Sequence, residues 1–182
     1  MKNQKKLLGE ERRNHILELL KQHQAPLTGT ELAQKTNVSR QIIVSDITLL
    51  KARNEPIIAT SQGYIYIAQT PQEEQYERTI ACQHAPTDVE EELHILVDSG
   101  VTVKDVKVEH PVYGDLVASI MVRNRRDVQH FLQKIKATNA AYLSELTNGI
   151  HLHTISASST QILDEAEVAL EKAGYLVTEN EN

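Results

Sequence analysis

Residues 149–156 read Gly-Ile-His-Leu-His-Thr-Ile-Ser, two imidazoles separated by one leucine in a short apolar run. The turn signal Thr147-Asn148-Gly149 stands just before it, so the run reads as a strand that opens at a tight turn. In a strand, residues i and i+2 point the same way. His151 and His153 therefore leave one face about 7 Å apart, with Leu152 on the other. Such a pair fits an ordinary polar strand face, a metal site or a catalytic site. The surrounding chain has to decide among them.

Working outward, Ala140–Leu146 is expected to pair with this strand as a hairpin across Asn148-Gly149. Ser159–Gly174 is expected to form an amphipathic helix, with Tyr175–Val177 as a last edge strand. Upstream, Tyr76–Ala85 alternates as a strand ending near His84. Thr87 and Glu90 suggest a capping box opening a helix that stops at Gly100. Val101–His110 and Leu116–Val122 read as two strands around a turn at Pro111, Gly114 and Asp115, and Asp127 opens a helix to about Lys136. The order β-α-β-β-α-β-β-α predicts a ferredoxin-like α/β sandwich with an inserted hairpin.

The first third has a different character. Residues 1–55 carry 10 Lys+Arg against 6 Asp+Glu, and residues 56–182 carry 9 against 19. A basic segment joined to an acidic remainder predicts two units with different partners. A helix from Glu10 to about His23 precedes a short helix capped by Thr28 or Thr30 and closed by Asn37. Ser39 then caps a longer helix whose first turn is polar. This is the helix-turn-helix spacing, with Ile57–Thr60 and Tyr64–Ile67 as a wing. A small helical interaction domain is the plainer alternative. Arg40 and Gln41 suit guanine and adenine edges, Ser39 and Thr48 lie nearer the backbone, and Arg12, Lys35, Lys51 and Arg53 offer phosphate charge. The fold class is thus α+β. A winged helix-turn-helix is expected over 1–68, a linker over 69–75 and the α/β sandwich over 76–182.

Composition narrows the classes further. The single cysteine, Cys82, excludes an intramolecular disulfide framework, and no apolar run approaches a membrane span. With no charged-then-apolar leader, a cytoplasmic protein without membrane contact is expected. No nucleotide-binding glycine loop, nucleophile elbow or zinc-finger spacing occurs.

Two imidazoles do not complete a metal site. His84, at a strand end, and Glu92, inside the apolar arc of Val89, Leu93, Leu96 and Val97, supply candidates for the rest. A carboxylate aimed inward needs a cation or a donor. Three imidazoles and one carboxylate suit a divalent transition metal, zinc or nickel foremost, then iron, cobalt or manganese, and not calcium or magnesium. His110 begins "HPVYG" and is either a pocket residue or a turn residue.

The stretches "CQHAPTDVEEEL", "VEHPVYGDL" and "GIHLHTI" behind a winged helix-turn-helix resemble the 3H-domain, NiaR-type repressors responsive to nicotinic acid. The resemblance covers roughly residues 8–178 and implies a metal held by His84, Glu92, His151 and His153. It implies no catalytic residues. It further implies a homodimeric repressor of NAD-synthesis or nicotinate-uptake genes that binds double-stranded operator DNA, with nicotinic acid as its ligand. In that picture His110 and Tyr113 help hold the ring and its acid group. A repressor that answers to the ion itself is the alternative. A metal-dependent hydrolase using Glu90 or Glu91 as base is the rival of another class, disfavoured because four protein ligands leave little room for water. Replacing Arg40 by Ala should cost about 1–3 kcal/mol in operator binding and relax the preference at one base pair, read by titration against operators mutated position by position.

Overall fold

The computed structural model describes residues 8–23, 25–67 and 75–177. The chain divides into two compact units, Met1–Thr70 and Pro71–Asn182. The expected linker, 69–75, lies outside the described residues except for Gln75.

In the first unit α1 (Gly9–Gln22), α2 (Gly29–Thr36) and α3 (Arg40–Ala52) precede a two-stranded wing, β1 (Ile57–Thr60) and β2 (Gly63–Tyr66). Local chemistry sets each boundary. Thr28, rather than Thr30, caps α2 by accepting from the Glu31 amide, while Glu31 returns a bond from the Thr28 amide. Asn37 closes α2 in the left-handed region, and Ser39 caps α3 through the Ile42 amide. The helices bury Ile16, Leu20, Leu32, Ile43, Ile47 and Leu50 in one core. The wing is tied in by paired backbone bonds between Leu27 and Tyr64, at 2.9 and 2.8 Å. Gly63 permits this approach, because a Cβ there would stand 2.6 Å from the Leu27 carbonyl oxygen.

Asp46 was not legible as special in the sequence. It lies on the inner face of α3, 2% exposed, and accepts from Arg12 Nε at 2.6 Å and from Arg13 Nη1 at 3.4 Å. Arg13 also bonds Glu10, and Glu10 bonds Arg53 at 2.8 Å. Arg12 and Arg53, expected to offer charge to phosphate, are both paired within the chain. Their guanidiniums face carboxylates of this chain, which brace α1 against α3. Lys35 and Lys51 are exposed.

The second unit is a sandwich of one antiparallel sheet and three helices. Its elements are β3 (Tyr76–Gln83), α4 (Val89–Asp98), β4 (Thr102–His110), β5 (Gly114–Val122), α5 (Arg125–Thr138), β6 (Ile150–Ala157) and α6 (Thr160–Ala173). The strands lie in the order β3-β6-β4-β5, so the last strand sits between the first and the second. Helix-on-sheet layering is as expected for the sandwich, with Ile80, Val103, Ile155, Leu93, Leu132 and Leu170 in its core.

Four local expectations are corrected. Ala140–Leu146 is not a strand, since Leu143–Thr147 forms a 3-10 turn whose Ser144 carbonyl accepts the Gly149 amide at 2.9 Å. No capping box forms at Thr87. A 3-10 turn, Pro86–Asp88, leads into α4 instead, and Thr87 bonds Asp88. Asn124, not Asp127, caps α5. Tyr175–Val177 gives only a bridge, Leu176 to Cys82, along the β3 edge. Among the described residues no helix is long and apolar enough to cross a membrane.

Asp46→Ala would leave two largely enclosed guanidiniums without their anion. The loss should be on the order of 3 kcal/mol, the low end for a broken buried pair because Arg12 and Arg13 retain 12% and 15% side-chain exposure. Urea unfolding followed by circular dichroism measures it.

Candidate metal centre and nucleic-acid interface

Strand β6 turns His151, His153 and Ile155 toward the helices, with Leu152 and Thr154 on the far side. Helix α4 brings Glu92 to meet them within its buried set Val89, Glu92, Leu93, Leu96 and Val97. His84 follows the end of β3. The four residues expected from spacing do converge: Glu92 Oε2 lies 2.8 Å from His84 Nε2 and 3.4 Å from His153 Nε2, and its Oε1 lies 3.2 Å from His151 Nε2. Glu92 is 1% exposed and the histidines at most 9%.

The other ring nitrogens define the tautomers. His84 Nδ1 donates to the Ala85 carbonyl at 2.9 Å, His151 Nδ1 to Gly149 at 2.8 Å, and His153 Nδ1 to Asp105 at 2.6 Å. A carbonyl can only accept, so each Nδ1 carries a proton, and in the neutral form of each ring the Nε2 lone pair is aimed at the Glu92 carboxylate. Lone pairs facing a carboxylate repel it unless a cation intervenes. The buried His84 Nε2 has no hydrogen-bond partner, although a Glu92 oxygen stands 2.8 Å away. Two ligands about 2.0–2.1 Å from one tetrahedral zinc stand roughly 3.3 Å apart, comparable with these separations. The donor set fits a divalent transition metal, with each imidazole oriented by a backbone acceptor as such sites require.

Protons are the alternative cations. Burial works to lower the pKa of His84 and of His153, but Glu92 outweighs it and raises both above the ordinary imidazole value. Burial likewise opposes the charged form of Glu92, yet the imidazoles hold its carboxyl well below the usual range.

Two backbone features build this geometry. Gly149, at φ +89°, has no Cβ, and one placed there would collide with the His84 carbonyl oxygen. In β4, Val103 faces Ile155 while Asp105 faces Thr154, so Lys104 is an extra residue that bulges the strand. The bulge presents the Asp105 carbonyl to His153 and its carboxylate to the Thr154 amide, at 3.1 Å.

Sequence reading left Cys82 out of the cluster. Its register partner is His151, and its sulfur, a Glu92 oxygen and a His151 nitrogen all lie within 4.8 Å of one another. Burial and the neighbouring Glu92 push its thiol pKa up. The i, i+2 spacing of Cys82 and His84 was the only available signal, and it normally puts both on one strand face.

His110 and Tyr113 are not brought to the cluster. His110 Nδ1 accepts from the Val112 and Tyr113 amides at 3.2 and 3.3 Å, shaping the exposed β4–β5 tip, where Tyr113 is 74% exposed. Neither residue lines the cleft at the cluster, and the turn holds the imidazole through its Nδ1. That cleft adjoins the cluster. Leu93, Val106, Ile120, Phe131 and Tyr142 wall it, Ser144 adds a hydroxyl, and Glu92, His151 and His153 close one end.

On the first unit, Arg40, Gln41 and Thr48 are exposed on α3, as is the cap Ser39. Arg40 extends along Gly29 beside the wing residue Tyr64, where a Cβ at position 29 would meet its side chain at 3.4 Å. Thr48 bonds the Val44 carbonyl at 2.9 Å.

Gly149→Ala should displace His84 and lower affinity for a divalent ion about 10–100-fold, the range for losing a group that orients a ligand. Competition with a chromophoric chelator reads it, and wild-type affinity in the variant would contradict the positioning role.

Two family patterns match the chain. One is the 3H domain over residues 77–179, the other an HTH domain over residues 12–65. The chain is 59% identical over 178 residues to a protein of Bacillus subtilis named transcription repressor NadR, covering 97% of this chain and 99% of that one. It is 34% identical over 174 residues to a Thermotoga maritima protein named probable transcription repressor NiaR, covering 96% and 98%. These relatives are regulators by name, which sets aside the hydrolase reading. With a helix-turn-helix ahead of a sheet whose imidazoles converge on one carboxylate, the chain belongs to the 3H-domain transcription repressors of the NadR and NiaR type.

Proposed function

We propose that this chain represses genes of NAD synthesis or nicotinate uptake. Nicotinic acid would act as co-repressor, at or near a transition metal held by His84, Glu92, His151 and His153. The observation that carries the reading is the set of three Nδ1–carbonyl bonds, which leaves three Nε2 atoms converging on a buried carboxylate. Zinc or nickel suits these donors best, followed by iron, cobalt and manganese. When bound, such an ion supplies a positive centre able to accept an acid group. The names of the two relatives support a repressor of an NAD-related regulon.

In this reading residues 1–68 bind double-stranded operator DNA and residues 76–182 sense the ligand, in a cytoplasmic homodimer. Arg40 and Gln41 face base edges, and Ser39 and Thr48 lie close to the backbone. The ligand favours the dimer arrangement that sets both α3 helices in successive major grooves, and it does so only through its differential affinity for the two arrangements.

A second reading makes the ion itself the signal. Its support is the near-complete burial of the cluster, with Cys82 beside it. Operator gel shifts with metal-loaded and metal-stripped protein, each with and without nicotinic acid, separate the two. The co-repressor reading expects a nicotinate-dependent shift only in the loaded protein. A shift that follows metal and ignores nicotinate supports the second reading instead.

A further inference from the structure

The cluster holds one donor atom that the set of three imidazoles and one carboxylate leaves unused. The Cys82 sulfur, a Glu92 oxygen and a His151 nitrogen lie within 4.8 Å of one another, all on buried residues. Cys82 itself is wholly enclosed, at 0% exposure. Sulfur and nitrogen ligands of one zinc ion stand roughly 3.6 Å apart, from bonds of about 2.3 and 2.0–2.1 Å. The remaining gap is within reach of a modest turn of the thiol about its single side-chain torsion.

The backbone fixes the thiol at this point from both sides. Cys82 pairs with His151 across β3 and β6, so the two side chains leave the same face of neighbouring strands. On the other side Leu176 bridges to Cys82. There the Gln83 amide donates to the Tyr175 carbonyl at 2.9 Å, and the Val177 amide to the Ala81 carbonyl at 2.8 Å. This part of β3 is flanked along both edges, and its sulfur is held inward.

A core thiol commonly acts as a small apolar group, and Cys82 does belong to the hydrophobic core. Its polar neighbours, however, are the groups that lack a cation. The His84 side chain is 1% exposed, and its Nε2 has no hydrogen-bond partner. The His84 and His151 rings stand 4.9 Å apart at 90°, and those of His151 and His153 stand 4.8 Å apart at 84°. The three rings thus meet edge to face around the same carboxylate. A cation that answers them comes within reach of the sulfur as well.

We propose that Cys82 is a further ligand of the ion, adding a thiolate to the imidazoles and the carboxylate. The proposal rests on the metal reading above and extends its donor set. As the metal–sulfur bond forms, the thiol proton leaves to solvent, so no oxidant or reductant takes part. One soft donor in the set favours zinc over manganese, an ion suited to oxygen ligands. Cys82 therefore narrows the ions to which the chain can respond.

Cobalt(II) is the probe, because a cobalt–thiolate bond gives a near-ultraviolet charge-transfer band that imidazole and carboxylate ligands do not. The full chain loaded with cobalt should show this band. Cys82→Ser, which keeps the size, and Cys82→Val, which keeps the apolar filling, should take up cobalt without it, with folding checked by circular dichroism. In chelator competition each variant should bind zinc about tenfold or more weakly than the wild type, while manganese affinity changes by less than about threefold. A cobalt-loaded wild type that lacks the band, or folded variants with wild-type zinc affinity, overturns the assignment of Cys82 and leaves the four-residue centre standing. Failure of the wild-type chain to take up cobalt or zinc overturns the underlying metal reading, and the thiolate falls with it.

Discussion

A carboxylate shut away from water is the constraint around which the second unit is organised. Glu92 sits on the core face of α4 among valines and leucines, where an unpaired charge would be costly. Its partners come from the end of β3 and from the centre of the sheet, so helix, edge strand and middle strand must all register on one point. The glycine at 149 and the extra residue at Lys104 make sense in that light. One lets the backbone carrying His84 close on the turn before β6, and the other supplies the carbonyl that orients His153.

The first unit contains a second buried carboxylate, and the contrast between the two separates structure from function. Asp46 is answered by two guanidiniums, which are always protonated and cannot be exchanged for a metal ion. That arrangement is a brace for α3. Glu92 is answered by imidazoles, which can give up the second ring proton and coordinate a metal through the lone pair so freed. The same problem, a charge in a core, is met by fixed cations in one unit and by titratable, metal-coordinating side chains in the other.

Much of this was legible along the chain. The caps at Thr28 and Ser39, the left-handed Asn37 and the alternation of β6 are local effects, and each appears where the residue types put it. Glu92 could be singled out because helical periodicity alone drops it into an apolar arc. Misreadings arose where partners are remote. Ala140–Leu146 has strand-like composition, yet Ser144 finds its acceptor role in a turn against Gly149. Arg12 looks like surface charge until Asp46, 34 residues later, is folded against it. His110 shares a motif with Tyr113 and spends its imidazole on the two amides that follow.

The sequence by itself determined two units of opposite charge, most of the elements of each, and the inward aim of Glu92, because periodicity and capping depend only on neighbours a few positions away. Only the tertiary structure decided the strand order β3-β6-β4-β5, the entry of Cys82 into the cluster, and the cleft that ends at Glu92. Those depend on which sheet faces and turns meet across long separations. Close approach of backbone to backbone, as between Gly149 and His84, has no signature until both segments are in place.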